Sequence, residues 1–362
     1  MKEKRCILWT TSISDLLNVE SNRIGGISVQ MFFWAEELIK NGWNVYSFYN
    51  GKNIKAYDTS KISFLKAARP SFITLFYYLF FALNIINKIK PELIICRGGT
   101  NRNLLFLSII CRLKGIKLVH FVASDRELVW PLNTFSDRFN MSLFHLGLKL
   151  CKYIIVQNDF QNKEFSSMCK NSQIEQIRNI WQKNTVSIVN NKVSRRVLWV
   201  SNIKSLKRPL LFLNLASKFP DVTFTMIGAD QEKELYAKCL EYSKQNKNIE
   251  FLGYQDFLVT NKYFSMSDIF ICTSEFEGFP NTFLQAWSNS IPVISTVNPS
   301  NVITDNNLGC YCVEIPQIEY YLAQLLNNIN LYNDIKDSIR LYFDINHSSE
   351  SAYNKLIKFI NI

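Results

Sequence analysis

The chain has 362 residues, 48% of them hydrophobic, which is long enough for two domains that each bury a core. Its net charge of +11 lies in the first half, because residues 1–183 hold 25 Lys and Arg against 13 Asp and Glu, whereas the remainder holds 16 against 17. No low-complexity run, zinc-finger spacing or arginine-rich arm occurs, which argues against a disordered chain and a nucleic-acid-binding protein.

The first half alternates short apolar strands with helical segments, a pattern that predicts a parallel sheet wrapped by helices. The N-terminal MKEKRCILWTTS lacks the long apolar region of a signal peptide and is predicted to be the first strand. Gly25–Gly26 then precedes an amphipathic helix that ends at Asn41–Gly42. Further strands are predicted at WNVYSFY, Leu93–Arg97, Lys117–Ser124 and Tyr153–Asn158.

The longest apolar run extends from Phe72 to Ile86 and is interrupted by Asn84. It is shorter than the ~20 residues that a membrane-spanning helix needs, so a buried or membrane-grazing helix is expected. Because basic residues flank this run, we predict that the first domain meets a membrane surface. The flanking residues are Lys61, Lys66, Arg69, Lys88 and Lys90.

The nine cysteines are scattered through apolar runs, without a C-x-x-C pair or nearby histidines. This favours buried thiols in a reducing cytoplasm over a zinc site. His120 lies in the middle of a predicted strand and is interpreted as a buried residue.

A second cycle of strands and helices begins at Arg195–Ser201 and continues with a helix that starts at Pro209. The polar stretch Lys183–Val193 separates it from the first cycle. We therefore predict two doubly wound α/β domains that face each other across a cleft, at residues 1–185 and 186–347, with helix 348–362 returning to the first. Further strands are predicted at Val222–Gly228, Ile249–Tyr254, Ile269–Ser274 and Ile291–Thr296.

The segment TSEFEGFPNTFLQAW carries the clearest chemical signal. A strand leads into a loop, and a helix begins at Pro280–Asn281, where free N–H groups suit a diphosphate. Gly278 allows a close backbone approach, and Glu277 can accept hydrogen bonds from sugar hydroxyls. Gln285, two turns into the helix, can bond a ribose diol.

A diphosphate also needs cations, and Lys207 follows the first strand of the second half, with Lys204 and Arg208 as alternates. Its ammonium can neutralise a departing nucleotide diphosphate. No Asp-x-Asp pair occurs in the sequence, so a metal-independent reaction is expected.

FEGFPNTFLQAW resembles the signature of the family-four retaining glycosyltransferases, which have the GT-B fold of two Rossmann-like domains. Gly25–Gly26, YIIVQNDFQ, VSNIKSLKRP and NIEFLGY resemble other segments of that family. The resemblance implies that Glu277 contacts the donor sugar, that Lys207 binds phosphate and that Gln285 replaces a ribose-binding glutamate. Asn202 replaces an arginine that accompanies the lysine. In this resemblance the nucleotide base packs at Tyr254, and the backbone N–H groups from Asn281 to Phe283 are hydrogen-bond donors to the ligand. The implied donor site comprises Glu277, Lys207, Asn202, Tyr254, Gly278, Asn281, Thr282, Phe283 and Gln285.

On the acceptor side, Arg97–Gly98–Gly99 and Ser124–Asp125–Arg126 each follow a strand of the first half. Asp125 is proposed as a catalytic acid, with a helix N-cap as the alternative. The residues expected near phosphate or acceptor are Gly25, Gly26, Arg97 and Arg126.

The resemblance implies a retaining hexosyltransferase that needs no cofactor besides its UDP- or GDP-linked sugar donor. The basic, apolar first domain suggests a lipid-linked saccharide acceptor at the cytoplasmic face of the inner membrane, as in lipopolysaccharide or capsule assembly. Two alternatives stay open. One is a nucleotide-sugar epimerase or hydrolase of the same fold, and the other is a non-catalytic nucleotide-sugar-binding relative, which Gln285 and Asn202 would favour.

Overall fold

The computed structural model describes residues 3–10, 13, 26–49, 62–67, 75–98, 103–124, 127–128, 134–182, 194–277 and 279–362. These residues form two compact units, one of residues 1–180 with 349–362 and the other of residues 181–348. The first boundary therefore falls five residues before the position taken from the sequence. The polar stretch Lys183–Val193 that suggested the boundary lies outside the described residues.

The first unit contains a parallel sheet of seven described strands in the order β3-β2-β1-β4-β5-β6-β7. Its central strands β4 and β6 are buried along their whole length, as expected for strands covered on both faces. The strands are β1 Lys4–Leu8, β2 Trp43–Tyr49, β3 Ile62–Lys66, β4 Leu93–Arg97, β5 Lys117–Phe121, β6 Tyr153–Val156 and β7 Gln173–Gln176. The helices are α1 Gly26–Lys40, α2 Leu75–Ile89, α3 Asn103–Lys114, α4 Phe135–Leu150 and α5 Asp159–Met168.

The apolar run that was expected to be buried or membrane-grazing forms most of α2. Ala82, Ile86 and Ile89 are buried in the core of the first unit, and among the described side chains of this helix Phe80 is largely exposed. Within the described parts of the chain, no helix has the length and apolarity required to cross a membrane.

The second unit contains a parallel sheet of six described strands in the order β10-β9-β8-β11-β12-β13. The predicted α/β class, with a doubly wound parallel sheet in each half, is thus confirmed. The strands are β8 Arg196–Val200, β9 Thr223–Ile227, β10 Ile249–Phe251, β11 Ile269–Cys272, β12 Val293–Ser295 and β13 Gly309–Tyr311. The helices are α6 Pro209–Ala216, α7 Lys233–Gln245, α8 Phe257–Ser265, α9 Asn281–Ser288, α10 Val302–Asp305, α11 Ile315–Asn327 and α12 Ile329–Asn346.

The last helix, α13 Ser349–Ile360, packs on the first unit. The indole N–H of Trp43 donates to the hydroxyl oxygen of Tyr353 at 3.0 Å, and the hydroxyl of Ser349 donates to the carboxylate of Glu37 at 2.7 Å. Lys117 donates to backbone carbonyl oxygens at the end of the helix. These contacts attach the C-terminal segment to the unit formed by the N-terminal half.

Candidate functional site

The strand order of the second unit brings two loops together. Strand β8 pairs with β9 on one side and with β11 on the other, so the connections leave the sheet in opposite directions at the carboxyl ends of β8 and β11. Ligands of doubly wound sheets bind at such a point. Lys207 follows β8, and Glu277 follows β11.

A short 3-10 turn positions Lys207. The turn covers Ser205–Lys207 and is followed by Arg208 in the left-handed region, with φ 47°, before α6 begins at Pro209. Glu232 anchors the start of the turn, since its carboxylate accepts hydrogen bonds from the N–H and the hydroxyl of Ser205. These hydrogen bonds lower the pKa of the Glu232 carboxyl. The backbone at Lys207 is therefore fixed from both sides.

Buried Thr273 ties the two loops to each other. Its hydroxyl accepts from the indole N–H of Trp199 at 2.9 Å and donates to the carbonyl oxygen of Lys207 at 2.7 Å. The guanidinium of Arg208 donates in return to the carbonyl oxygen of Thr273 at 2.7 Å. Arg208, which the sequence offered as an alternate phosphate ligand, thus spends at least one donor on holding the loop.

Glu277 and Lys207 form an ion pair through Oε1 and Nζ, and both side chains are about one-fifth exposed. The hydroxyl of Ser274 donates to the same carboxylate oxygen at 2.9 Å. No described residue donates to Oε2 of Glu277, which leaves this atom able to accept a hydrogen bond from a ligand hydroxyl. The pair can thus present a cation and an acceptor to one molecule.

Helix α9 begins beside this pair. The N–H groups of Asn281 and Thr282, in its first turn, lie ahead of any intrahelical acceptor. The N–H of Phe283 donates to the carbonyl oxygen of Pro280 at 3.1 Å, so it is not one of the free donors that the sequence suggested. Oδ1 of Asn281 is shielded from solvent and has no partner among the described residues. Gly278, between Glu277 and the helix, lies outside the described residues.

Gln285 is buried in α9, and its amide nitrogen donates to Oδ1 of Asn261 on α8 at 3.1 Å. No described residue donates a hydrogen bond to its side-chain oxygen, Oε1. Tyr254, after β10, is partly exposed, and burial together with Asp256 raises the pKa of its hydroxyl. Asn202, two residues after the end of β8, is exposed. The anchoring role of Asn261 could not be found from sequence, because 24 residues separate it from Gln285.

In the first unit, Arg97 ends β4 next to the point where the strand order reverses between β1 and β4. It is 9% exposed and donates to Oδ1 of Asn179 at 2.6 Å, while its Nε has no partner among the described residues. Burial lowers the pKa of its guanidinium to about 10, and the negative charge of Glu127 acts in the opposite direction. Such a buried cation favours a nearby anion.

Gly98 follows Arg97 with φ 68°, and a Cβ atom there would lie 3.0 Å from Cδ1 of Ile27 and 3.1 Å from Cβ of Ala123. A glycine is therefore required for this close packing. Gly26 is exposed at the start of α1. The other predicted acceptor-side residues lie outside the described residues: Gly25, Gly99, Asp125 and Arg126.

Glu127, which the sequence analysis did not select, is the acid that the described structure places after β5. Its Oε2 lies 2.9 Å from Nε2 of His120, and its Oε1 accepts from the N–H of Ala123 at 2.7 Å. Both side chains are buried, and the two residues are 7 positions apart. The available signal was a histidine in an apolar strand followed by an acid just beyond the strand end.

The match to a known protein family lies in the second unit. Residues 194–328 match the family model described as glycosyl transferases group 1. An uncharacterized glycosyltransferase of Methanocaldococcus jannaschii is 24% identical over 246 residues, which cover 59% of this chain and 57% of that protein. The O-antigen biosynthesis glycosyltransferase WbnH of Escherichia coli is 32% identical over 186 residues, covering 51% and 46%. The chain thus spans about half the length of these curated relatives.

A third relative is the UDP-Gal:alpha-D-GlcNAc-diphosphoundecaprenol alpha-1,3-galactosyltransferase of Escherichia coli, 25% identical over 168 residues, or 43% of this chain and 39% of that enzyme. Among solved structures, a glycosyltransferase from Rickettsia africae has a TM-score of 0.69 at 15% identity, covering 100% of this chain and 98% of that one.

Anabaena HepE, in complex with UDP and glucose, has a TM-score of 0.65 at 12% identity, covering 99% of this chain and 100% of that one. The UDP-GlcNAc 2-epimerase of Neisseria meningitidis has a TM-score of 0.64 at 13% identity, covering 99% of each chain. These similarities confirm the GT-B fold, and the family match confirms the glycosyltransferase resemblance that the motif around Glu277 implied.

Proposed function

We propose that the chain transfers a hexose-type sugar from a UDP- or GDP-linked donor to a lipid-linked saccharide, with retention, in surface polysaccharide assembly. The observation that carries this proposal is the Lys207–Glu277 pair beside the first turn of α9, at the point where the strand order reverses. The relatives named for O-antigen biosynthesis and for a diphosphoundecaprenol acceptor support the pathway and the acceptor class.

In the proposed reaction, the diphosphate lies against Lys207 and the N–H groups of Asn281 and Thr282. Glu277 accepts hydrogen bonds from the sugar through its unoccupied Oε2. The bond between the anomeric carbon and the diphosphate oxygen breaks as the acceptor oxygen bonds to the same carbon, and the acceptor proton passes to the leaving phosphate. Lys207 and the helix N-terminus stabilise the charge that develops on that phosphate. No metal ion takes part in this scheme.

Other predicted donor-site residues take supporting roles in the proposal. The oxygen of Gln285 accepts from the ribose diol while Asn261 holds its nitrogen. Tyr254 packs against the base, and Asn202 and Gly278 line the phosphate side. The UDP complex of Anabaena HepE supports a UDP donor for this chain.

On the acceptor side, Arg97 binds the diphosphate of the lipid-linked saccharide, because a buried guanidinium whose Nε has no partner among the described residues is stabilised by an anion. Asp125 remains the proposed acid near the acceptor, with Arg126, Gly25 and Gly26 beside the phosphate. The enzyme works at the cytoplasmic face of the membrane, which the basic first half of the chain would attract.

An epimerase is the second candidate, since the UDP-GlcNAc 2-epimerase of Neisseria meningitidis has the same fold. That reaction needs additional acid and base groups. His120 is buried against Glu127, and His347 is buried in the second unit with its Nε2 3.4 Å from the hydroxyl oxygen of Tyr342. These two imidazoles are therefore not available to such a substrate.

The test is a donor screen with the purified protein and UDP-, GDP-, ADP- and dTDP-sugars, with and without a chelator. We expect one nucleotide sugar to raise the unfolding temperature despite the chelator, and nucleotide release to require a lipid-diphosphate saccharide. Release without an acceptor would indicate a hydrolase, and a changed sugar without release would indicate an epimerase. Binding without any turnover would indicate a non-catalytic relative, and a requirement for a divalent metal would contradict the scheme above.

A further inference from the structure

A cationic cavity lies at the amino end of the sheet in the first unit, away from Arg97. It has a volume of about 580 Å³ and is lined by the ends of α3 and α4 and the starts of β5 and β6. Lys117, at its edge, pairs with Leu93, whereas Arg97 pairs with Phe121 at the other end of the same ladder. Four residues of strand, or about 13 Å, separate these two ends. The cavity is therefore distinct from the acceptor site proposed above.

Four basic residues line this cavity, and no Asp or Glu does so among the described residues. Two helix C-termini at the same place contribute about half a negative charge each, which leaves roughly three positive charges uncompensated. Lys117 donates to the backbone carbonyl oxygens of Ile360 and Asn361 at the end of α13, and Lys152 lies 5.1 Å from the ring centre of Tyr153. Arg112 and Lys149 are exposed and form no hydrogen bond or ion pair with a described residue. An anion in the cavity would reduce the electrostatic repulsion among these four basic side chains.

Exposed apolar side chains continue from the cavity along the two helices. Ile109, Arg112 and Leu113 lie on one face of α3, and Leu113 is 82% exposed. On α4 an exposed stripe with spacings of four and three residues runs away from the cavity. Its members are Phe135, Phe139, Ser142, Leu146 and Lys149. Large apolar side chains beside cations are typical of a surface that meets a lipid headgroup region.

We propose that this α3–α4 surface, formed by the cavity and the exposed faces of α3 and α4, binds an anionic phospholipid. The phosphate lies in the cavity near Arg112 and Lys149, and the acyl region contacts Leu113, Leu146 and the aromatic side chains of α4. This assignment specifies which surface of the protein contacts the membrane. It rests on the proposed function only in taking a membrane as the partner. It replaces the apolar run of α2 as the membrane-facing element, because most of the described apolar side chains of α2 pack within the first unit.

The test is sedimentation of the full chain with vesicles of phosphatidylcholine, with and without phosphatidylglycerol. We expect binding that requires phosphatidylglycerol, and about 30-fold weaker partitioning for the double variant R112Q/K149Q, since each basic residue near an anionic surface contributes roughly fivefold. The matched control is K66Q/K88Q, which removes one exposed cation at the end of β3 and one on α2 and should retain most binding. Leu113→Gln should weaken vesicle binding without affecting any binding of glycerol phosphate.

An equal loss in R112Q/K149Q and K66Q/K88Q would overturn the proposal, because binding would then follow net charge alone. Vesicle binding that is unchanged in R112Q/K149Q, together with lost binding of glycerol phosphate, would assign the cavity to a free phosphate ligand and also overturn it. Stabilisation by the nucleotide sugar reports on the donor site separately. If the donor binds and vesicles do not, only the surface assignment is wrong; if vesicles bind and no donor does, only the glycosyltransferase assignment is wrong.

Discussion

Lys207 and Glu277 form an ion pair although 70 positions separate them in the chain. The pair exists because β8 and β11 are neighbours in a parallel sheet, so that their carboxyl ends deliver both loops to one place. Thr273 then links the backbones of these loops. Under the proposed function, the donor diphosphate shares the ammonium of Lys207 with Glu277, and the ion pair positions the lysine before the donor binds.

Replacing Lys207 with Met should lower kcat by about 10²- to 10³-fold, because the charge that develops on the leaving phosphate loses its nearest cation. The free energy of unfolding should fall by about 1 to 2 kcal/mol, because the mostly buried Glu277 would keep Ser274 as its donor among the described residues but lose its cation. Steady-state kinetics and urea denaturation give the two values. Lys218→Met is the matched control, because it breaks an ion pair with Glu319 elsewhere on the same unit. Full activity of the Lys207 variant would contradict the assignment.

Replacing Asn261 with Ala should raise the KM for the nucleotide sugar about three- to tenfold with little change in kcat. The amide nitrogen of Gln285 loses its acceptor, which costs about 1 kcal/mol of positioning. Asn261→Asp retains an acceptor oxygen and should restore most of the affinity. Steady-state kinetics over a range of donor concentrations give both values, and equal effects of the Ala and Asp variants would show that Asn261 does not act through Gln285.

Replacing Glu127 with Ala should lower the free energy of unfolding by about 3 kcal/mol, because His120 and the N–H of Ala123 would both lose a buried partner. Glu127→Gln retains an acceptor for Ala123 and should cost less, on the order of 1 kcal/mol. Urea denaturation of the two variants compares these losses. A neutral effect of the Ala variant would contradict the stabilising role assigned to this carboxylate.

The stability of the chain should depend on the protonation of His145. Burial lowers the pKa of this imidazole below 6.5, Lys149 acts in the same direction, and the backbone of Glu127 opposes them. The unfolded chain therefore takes up a proton first, so the free energy of unfolding should fall as the pH drops through about 6.5 and level off below the folded-state pKa. His145→Gln should reduce this slope. Denaturation curves at several pH values test it, and an unchanged slope would assign the effect to other groups.

Local patterns were sufficient for the main elements. The alternation of apolar strands and amphipathic helices predicted both doubly wound sheets, because the spacing of apolar residues within each strand or helix indicates which face is buried. Three of the described strands, β3, β7 and β13, lie at sheet edges and were not predicted. Of these, β7 (QIEQ) and β13 (GCY) are short, and their residues do not form an apolar run. Such strands form because a neighbouring strand offers hydrogen bonds, which no local pattern records.

The sequence by itself was sufficient to predict the main residues of the proposed donor site. Glu277, the helix start at Asn281 and the cation at Lys207 are contained in short segments whose spacing has a direct physical meaning. The contacts between distant side chains became visible only in the folded chain. Ser274 and Lys207 both donate to one carboxylate oxygen of Glu277, Asn261 accepts from Gln285, and Glu127 lies against His120. The same holds for the cavity at the ends of α3 and α4. Contacts between distant segments depend on which strands become neighbours, and that arrangement follows from packing of the whole sheet rather than from any one segment.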